Sequence, residues 1–184
     1  METHQRLEIS EDRLLMMIQS LLSHFDSYCW VAGGAVLAEF LKAPSKDIDV
    51  FFTTESDRER AIKTLLDKGG DHFKKLRLGE SVKFNDMKYD LLHMGVTPQE
   101  TIDSFDYTVC SIAIDSLGEC YHHPDFFTHL HAKKLVYTGG SKREKWFTGM
   151  PENMNRNIIE ARRMVTYLKK GFDIDDENIR RIFK

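Results

Sequence analysis

The sequence has few cysteines, no excess of positive charge and no long apolar run, and each shortage excludes a class of protein. The 184 residues include 3 cysteines, an odd number whose spacing fits no metal or redox motif. We therefore expect reduced thiols and, because the polar start lacks a signal peptide, a cytoplasmic location. No apolar run approaches the length of a membrane span, so no membrane partner is expected. The formal net charge of -3 argues against a bulk electrostatic grip on nucleic acid, although a local basic patch stays open.

The apolar content predicts a folded core. Hydrophobic residues make up 41% of the chain and include 12 Phe, which is enough to exclude disorder over most of its length. The order of patterns is a helix, then mixed strands and helices, then a helix. We therefore predict an α/β (α+β) fold in which helices flank a small mixed sheet, with a head domain at residues 1–148 and a helical, neck-like appendage at residues 149–184.

Turn and capping signals divide the chain into short elements. In the first half they predict three helices: one after Ser10, one at residues 35–41 and one capped by Ser56. They predict strands at residues 28–32 and 47–52 and short extended stretches at residues 72–78, 81–84 and 87–93. In the second half they predict a capping box at residues 97–100 and a hairpin of residues 109–115 and 119–122. A short helix at residues 126–131, a short strand at residues 134–137, a long helix at residues 151–170 and a short helix after Asp175 follow.

Two acids two residues apart carry the strongest chemical signal. Asp47 and Asp49 lie in a predicted strand, where alternate side chains share a face. Adjacent carboxylates repel each other, and a divalent cation with a preference for oxygen ligands would remove that cost. Gly33 and Gly34 precede a helix, where a bare backbone lets a phosphate approach closely. A triphosphate would then bridge the glycine turn and the metal.

A third acid would complete a two-metal site, and Asp90 is the best candidate, since it interrupts an apolar, strand-like stretch. Taken alone, each signal has a plainer interpretation. An Asp-x-Asp pair on a strand is usually solvated, and a glycine pair usually makes a turn. The combination and order of the signals favour metal-bound phosphate chemistry.

At this point the sequence resembles a known family. Residues 30–36 (WVAGGAV) and 46–50 (KDIDV) are similar to the head domain of the polymerase-β-type nucleotidyltransferases, above all the class II CCA-adding enzymes and bacterial poly(A) polymerases. Residues 105–114 (FDYTVCSIAI) resemble a second block of that family, and residues 161–174 resemble the end of its neck helix. The resemblance covers most of the chain, without the tRNA-binding body and tail.

The resemblance implies a function and a set of site residues. Asp47, Asp49 and Asp90 would be catalytic and hold two Mg2+ ions, for which Mn2+ can substitute. Nucleotide binding, with ATP among the substrates, is implied for six residues: Gly33, Gly34, Lys46, Asp106, Thr108 and Arg162. The enzyme would move an NMP from an NTP to an RNA or tRNA end, a protein or a small molecule, with release of pyrophosphate.

Several departures from the family keep other functions open. The paired arginines before the family's aspartate are Ser104 and Phe105 here, and the acids of its base-selecting neck motif are incomplete. A catalytically silent nucleotide- or RNA-binding regulator is one alternative, and a toxin-antitoxin or phage-type modifier of host tRNA or protein is another. The C-terminal helix carries apolar residues that must pack on the head or on a second chain, so an oligomer through this helix is one expectation.

Overall fold

The computed structural model describes residues 11–139 and 156–184, and these contain seven α-helices and seven strands. The helices are α1 (Glu11–Leu22), α2 (Gly34–Phe40), α3 (Glu55–Asp67), α4 (Pro98–Asp103), α5 (Phe126–His131), α6 (Arg156–Leu168) and α7 (Asp176–Ile182). The strands are β1 (Cys29–Ala32), β2 (Ile48–Phe52), β3 (Asp71–Lys75), β4 (Gly79–Phe84), β5 (Met87–His93), β6 (Ile112–Asp115) and β7 (Cys120–His122). None of the described helices is long and apolar enough to cross a membrane.

All seven strands belong to one sheet in the order β3-β4-β5-β2-β1-β6-β7. The pair β2–β5 is parallel, whereas β1–β2, β1–β6, β3–β4 and β4–β5 are antiparallel. The parallel pair requires a crossover, and α3, β3 and β4 provide the intervening chain. The predicted fold class, a small mixed sheet with flanking helices, is confirmed.

The middle of the sheet forms the apolar core. Every residue of β1 is buried, and Trp30 stacks on Phe51 of β2 with ring centroids 6.0 Å apart. Val31 and Val50 are register partners at the centre of the same pair, and both are 0% exposed. Burying side chains of this size stabilises the fold by about 1.5–3 kcal/mol each. Packing against β1 therefore fixes the position of β2, the strand that carries Asp49.

Contacts divide the chain into two compact units. The first unit contains Met1–Pro98 and Ala113–Cys120, and the second contains Gln99–Ile112 and Tyr121–Lys184. The boundary that the sequence predicts between head and neck, at residues 148 and 149, lies outside the described residues.

In the first unit, the cap of α3 differs from the prediction. Thr54, not Ser56, is the N-cap residue, and its side chain accepts a hydrogen bond from the Asp57 backbone N–H at 3.1 Å. Thr54 has the extended backbone that an N-cap needs, with φ -125° and ψ 154°, whereas Ser56 already lies in the first helical turn. Helix α3 therefore begins at Glu55, two residues before the start that a Ser56 cap predicts.

The predicted strand at residues 109–115 begins late. Thr108–Cys110 forms a 3-10 turn, in which the Cys110 N–H donates to the Tyr107 carbonyl at 3.2 Å, and the strand starts only at Ile112. The predicted strand at residues 134–137 consists of two isolated bridges, Lys134 to Asp173 and Tyr107 to Tyr137. Val109 and Cys110 in the first stretch and Leu135 and Tyr137 in the second are buried, but the backbone satisfies its hydrogen bonds in turns and bridges.

The C-terminal helices belong to the second unit. The ring of Tyr167 on α6 packs against Tyr107 with centroids 5.2 Å apart and against Phe172 at 6.2 Å. The predicted start of this helix, residues 151–155, lies outside the described residues, and its end precedes Gly171 at φ 85° as expected. The short helix predicted after Asp175 is confirmed as α7, with Asp175 as its N-cap.

Candidate active site

Two of the three predicted acids are neighbours in the sheet. In the parallel pair β2–β5, Asp49 and Asp90 are register partners. Directly paired residues of adjacent strands project to the same face of a sheet, at a strand spacing of about 4.8 Å. The crossover thus brings together carboxylates that are 41 positions apart in the chain, counted from their residue numbers.

The third acid, Asp47, is joined to Asp90 through a lysine. The Nζ atom of Lys88 lies 2.9 Å from Asp47 Oδ2 and 3.2 Å from Asp90 Oδ2. The Asp90 side chain is 13% exposed, that of Lys88 28% and that of Asp47 47%. Partial burial acts to lower the pKa of Lys88, but the hydrogen bonds and charges of Asp47 and Asp90 outweigh it and raise the pKa above its ordinary value.

A buried serine orients Asp90. Ser81 of β4 is the register partner of Asp90 and is 1% exposed. Its hydroxyl donates a hydrogen bond to Asp90 Oδ1, so Ser81 holds one carboxylate oxygen while Lys88 contacts the other. Sequence reasoning did not select either residue. The available signal for Lys88 was its place two residues before Asp90, which puts both on one face of β5.

The three carboxylates are ligands of the kind that magnesium requires, although Asp47 and Asp90 form ion pairs with Lys88 in this structure. Among the residues that the structure describes, no group of three or more His, Cys, Asp or Glu side chains is placed to hold a metal ion. The positive charge between Asp47 and Asp90 comes from Lys88. Carboxylate oxygens are nevertheless the ligands that Mg2+ prefers, and Asp47, Asp49 and Asp90 supply them from the first unit.

The glycine turn lies at the same edge of the sheet as the acids. In the antiparallel pair β1–β2, Val31 is opposite Val50, so the end of β1 runs beside the start of β2. Gly33 then precedes α2 with φ 75° and ψ -129°, a backbone conformation that side chains rarely adopt. A Cβ atom built at Gly34 would meet nothing within 4 Å, so the space above this residue is open. Lys46 is exposed in the loop before β2.

In the second unit, Asp106 is engaged by an arginine. Its side chain is 1% exposed and forms a two-pronged ion pair with Arg163, from Nη2 to Oδ1 at 2.8 Å and from Nε to Oδ2. Burial acts to lower the pKa of Arg163, but the charge of Asp106 outweighs it and holds the pKa well above the usual value. Cys110 Sγ also donates to Asp106 Oδ1 at 3.5 Å.

The other two predicted nucleotide contacts of this unit differ in exposure. Thr108 is 2% exposed, and its Oγ1 lies 2.9 Å from Nδ1 of His129. Burial lowers the pKa of His129 below its ordinary value. Arg162 is exposed on α6, and its backbone carbonyl accepts a hydrogen bond from Thr166. Sequence reasoning selected Arg162, whereas Arg163 is the arginine that pairs with Asp106.

Comparison with known families gives a direct assignment. Residues 8–133 match the family described as Gabija anti-defense 2, and this chain belongs to that family. A search of curated proteins found no match.

Solved structures of nucleotidyltransferases share the fold. The Thermotoga maritima CCA-adding enzyme complexed with tRNA aligns with a TM-score of 0.62 and 16% identity, over 97% of this chain and 42% of that chain. A tRNA nucleotidyltransferase complexed with a primer tRNA and an incoming ATP analog aligns at 0.63 and 15%, over 90% and 48%. A CCA-adding enzyme with CTP aligns at 0.64 and 16%, over 93% and 44%. The resemblance to the polymerase-β-type head is therefore confirmed at the level of fold, and the chain spans less than half the length of these structures.

Proposed function

We propose that this protein is a metal-dependent nucleotidyltransferase that moves an NMP from an NTP to a hydroxyl acceptor and releases pyrophosphate. The observation that carries the proposal is the register pairing of Asp49 with Asp90, beside a glycine turn at the same edge of the sheet. A nucleotidyltransferase fold supports the same reaction class. Gly33 and Gly34 would accept the triphosphate, with Lys46 near it, where backbone N–H groups and open space favour an anion.

Asp47, Asp49 and Asp90 would hold the metal ions, two Mg2+ or Mn2+. Metal held there would offset the charge of the triphosphate and make the acceptor hydroxyl more acidic, so that its proton would pass to solvent. Ser81 keeps the Asp90 carboxylate in one orientation, so that its oxygens face the shared side of β2 and β5. The acceptor oxygen would form a bond to the α-phosphorus as the bond to pyrophosphate breaks. Catalysis would then consist mainly of positioning and charge stabilisation.

For the acceptor, the family description and the structural relatives point in two directions. The family is described as anti-defense, which favours a modifier that acts against the Gabija defense system through one of its components. Two of the structural relatives were solved with tRNA, which favours an RNA end. We propose the first acceptor class, a protein hydroxyl of the defense system, as the working hypothesis. Arg162, Asp106 and Thr108 would assist nucleotide binding, as the family resemblance implies.

Transfer of label from α-32P-NTPs tests the reaction and its acceptor together. The native protein is incubated with Mg2+ or Mn2+ and each NTP, with total RNA in one arm and with Gabija proteins in another. Asp49→Asn serves as the matched inactive control. Metal-dependent labelling of protein that Asp49→Asn abolishes supports the proposal. If only RNA is labelled, the acceptor is RNA and the protein-acceptor hypothesis is wrong. If nothing is labelled in any arm, the proposed nucleotidyltransferase activity is wrong.

A catalytically silent nucleotide-binding regulator is the second candidate, and the ion pairs favour it. Lys88 already contacts two of the three acids, and Arg163 already contacts Asp106. Thermal melts with Mg2+, an NTP and both together separate the candidates in combination with the labelling experiment. A joint shift larger than either single shift, without transfer, would identify a binding module. Equal shifts for Mg2+ alone and for the mixture would argue against a joint site.

A further inference from the structure

Lys88 contacts Asp47 and Asp90, two of the three acids that the proposed function assigns to the metal. We infer that Lys88 is a tethered counter-ion that a divalent metal must displace, so that the acids bind free metal weakly and bind metal delivered with a nucleotide much better. The inference rests on the proposed function, because it takes Asp47 and Asp90 to be metal ligands. It concerns a residue outside that ligand set, and it predicts a binding property that can be measured without turnover.

The contacts of Lys88 occupy the oxygens that a metal would need. Its Nζ atom lies 2.9 Å from one oxygen of Asp47 and 3.2 Å from one oxygen of Asp90. The other oxygen of Asp90 accepts the Ser81 hydroxyl, so both oxygens of this carboxylate are already engaged. A metal that binds Asp90 through Oδ2 therefore replaces the ammonium group.

Lys88 is not required to orient Asp90, because Ser81 does so. Ser81 is 1% exposed and is the register partner of Asp90, so its hydroxyl is held by the packing of β4 against β5. The Lys88 side chain is more than a quarter exposed, at 28%, and has a flexible stem that can move its charge away. Ser81 thus fixes the orientation of Asp90, whereas Lys88 supplies a positive charge that can move away.

Charge decides which metal species can displace the lysine. Asp47, Asp49 and Asp90 carry three negative charges when ionised, and the ammonium of Lys88 offsets one of them. A free divalent ion would compete with that ammonium for the same oxygens. A metal ion that arrives with a triphosphate brings negative charge as well, which gives the displaced ammonium a second anion nearby. Nucleotide should therefore strengthen metal binding more in the native protein than in a variant that lacks Lys88.

Lys88→Met tests the inference, and Lys83→Met is the matched control. Lys83 is the register partner of Lys88 across β4–β5, but its Nζ lies 3.7 Å from Asp86 at the turn. Its removal deletes a neighbouring positive charge without touching the acids. Mn2+ binding is measured by electron paramagnetic resonance, without nucleotide and with a non-hydrolysable ATP analogue. Lys88→Arg, which keeps the charge, guards against a packing effect of methionine.

Lys88→Met should bind free Mn2+ at least about tenfold more tightly than the native protein, a difference of ~1.4 kcal/mol. Lys83→Met should stay within roughly threefold of the native protein, because the ion pair of Lys83 is with exposed Asp86 and its charge is screened by salt. Lys88→Arg should also stay within that range, because it keeps the positive charge. The gain in Mn2+ affinity on adding the nucleotide analogue should shrink in Lys88→Met.

Two other results would overturn the inference, and they are distinguishable. If Lys88→Met binds Mn2+ no more tightly than the native protein, while Asp49→Asn abolishes binding, the metal site stands and the competition is wrong. If no protein binds Mn2+ with or without the analogue, the metal site itself is wrong, and the proposed function fails with it. A folded Lys88→Met protein is verified by circular dichroism, and Lys88→Gln replaces it if methionine prevents folding.

Discussion

Arg163→Met should destabilise the second unit by about 3 kcal/mol. Removing one partner of a buried ion pair costs about 3–5 kcal/mol, because the remaining charge stays buried. Asp106 fits that condition, since its side chain is 1% exposed. The Arg163 side chain is 44% exposed, which weakens the pair through solvent screening, so the lower end of the range applies. Methionine keeps an apolar stem of similar length, which limits the loss of packing on α6.

Arg162→Met is the matched control for this prediction. Arg162 is the next residue on the same helix and is exposed, and the hydrogen bond described for it is made by its backbone carbonyl. Its replacement should change the free energy of unfolding by no more than about 0.5 kcal/mol, as for most surface substitutions. The double variant Asp106→Asn/Arg163→Met should lose less than the two single variants together, because it leaves no unpaired charge.

Urea denaturation followed by circular dichroism measures these differences, and hydrogen exchange of the α6 amides reports the second unit by itself. Arg163→Met should shift the unfolding midpoint to lower urea at an unchanged slope. If Arg163→Met and Arg162→Met are equally stable, or if the single and double variants are additive, the ion pair does not stabilise this unit.

Four further predictions concern the acids, the exposed arginine, the reactivity of the thiols and the pH dependence of stability. Asp49→Asn should keep the fold, with equal or higher stability without metal because carboxylate repulsion falls. It should abolish transfer, leaving less than about a tenth of the activity, a loss of more than ~1.4 kcal/mol of transition-state stabilisation. Arg162→Ala should raise the apparent KM for NTP with little change in stability, because its guanidinium would meet phosphate and not the core. Iodoacetamide at pH 8 should modify exposed Cys120 alone, since burial raises the pKa of Cys29 and of Cys110 to about 12. Because these folded-state pKa values exceed the ordinary value of 9.0, stability should fall as pH rises above 9.0.

Each of these has a clear contrary result. An Asp49→Asn protein that retains more than about a tenth of the transfer activity removes the metal role from that residue. If the KM of Arg162→Ala, measured over a range of NTP concentrations, is unchanged, Arg162 does not contact the nucleotide. Mass spectrometry that finds Cys29 or Cys110 alkylated in the native state, at a rate near that of Cys120, contradicts their burial. A free energy of unfolding that stays constant from pH 8 to 10.5 would contradict the raised pKa values of these two thiols.

Local patterns in the sequence were sufficient to predict the elements that carry the site. The alternation of apolar and acidic residues predicted a strand at residues 47–52, and the structure confirms it as β2 at Ile48–Phe52. The glycine pair predicted the turn into α2, where Gly33 adopts a positive φ. These features depend on neighbouring residues alone, because strand alternation and turn conformation are local properties. The capping of α3 is also local, but Thr54 and Ser56 both carry side chains that can cap, so the pattern alone does not distinguish them.

The partners of the site residues were decided by tertiary structure. The sequence determined that Asp47 and Asp49 could share a face, that a third acid interrupts β5, and that two arginines lie side by side on α6. It did not determine that Asp49 pairs with Asp90, that Lys88 lies between two acids, or that Arg163 reaches Asp106. Parallel strand register depends on a crossover of many residues, and neighbouring helix positions face about 100° apart. Packing alone selects among such alternatives, because each has nearly the same local energy.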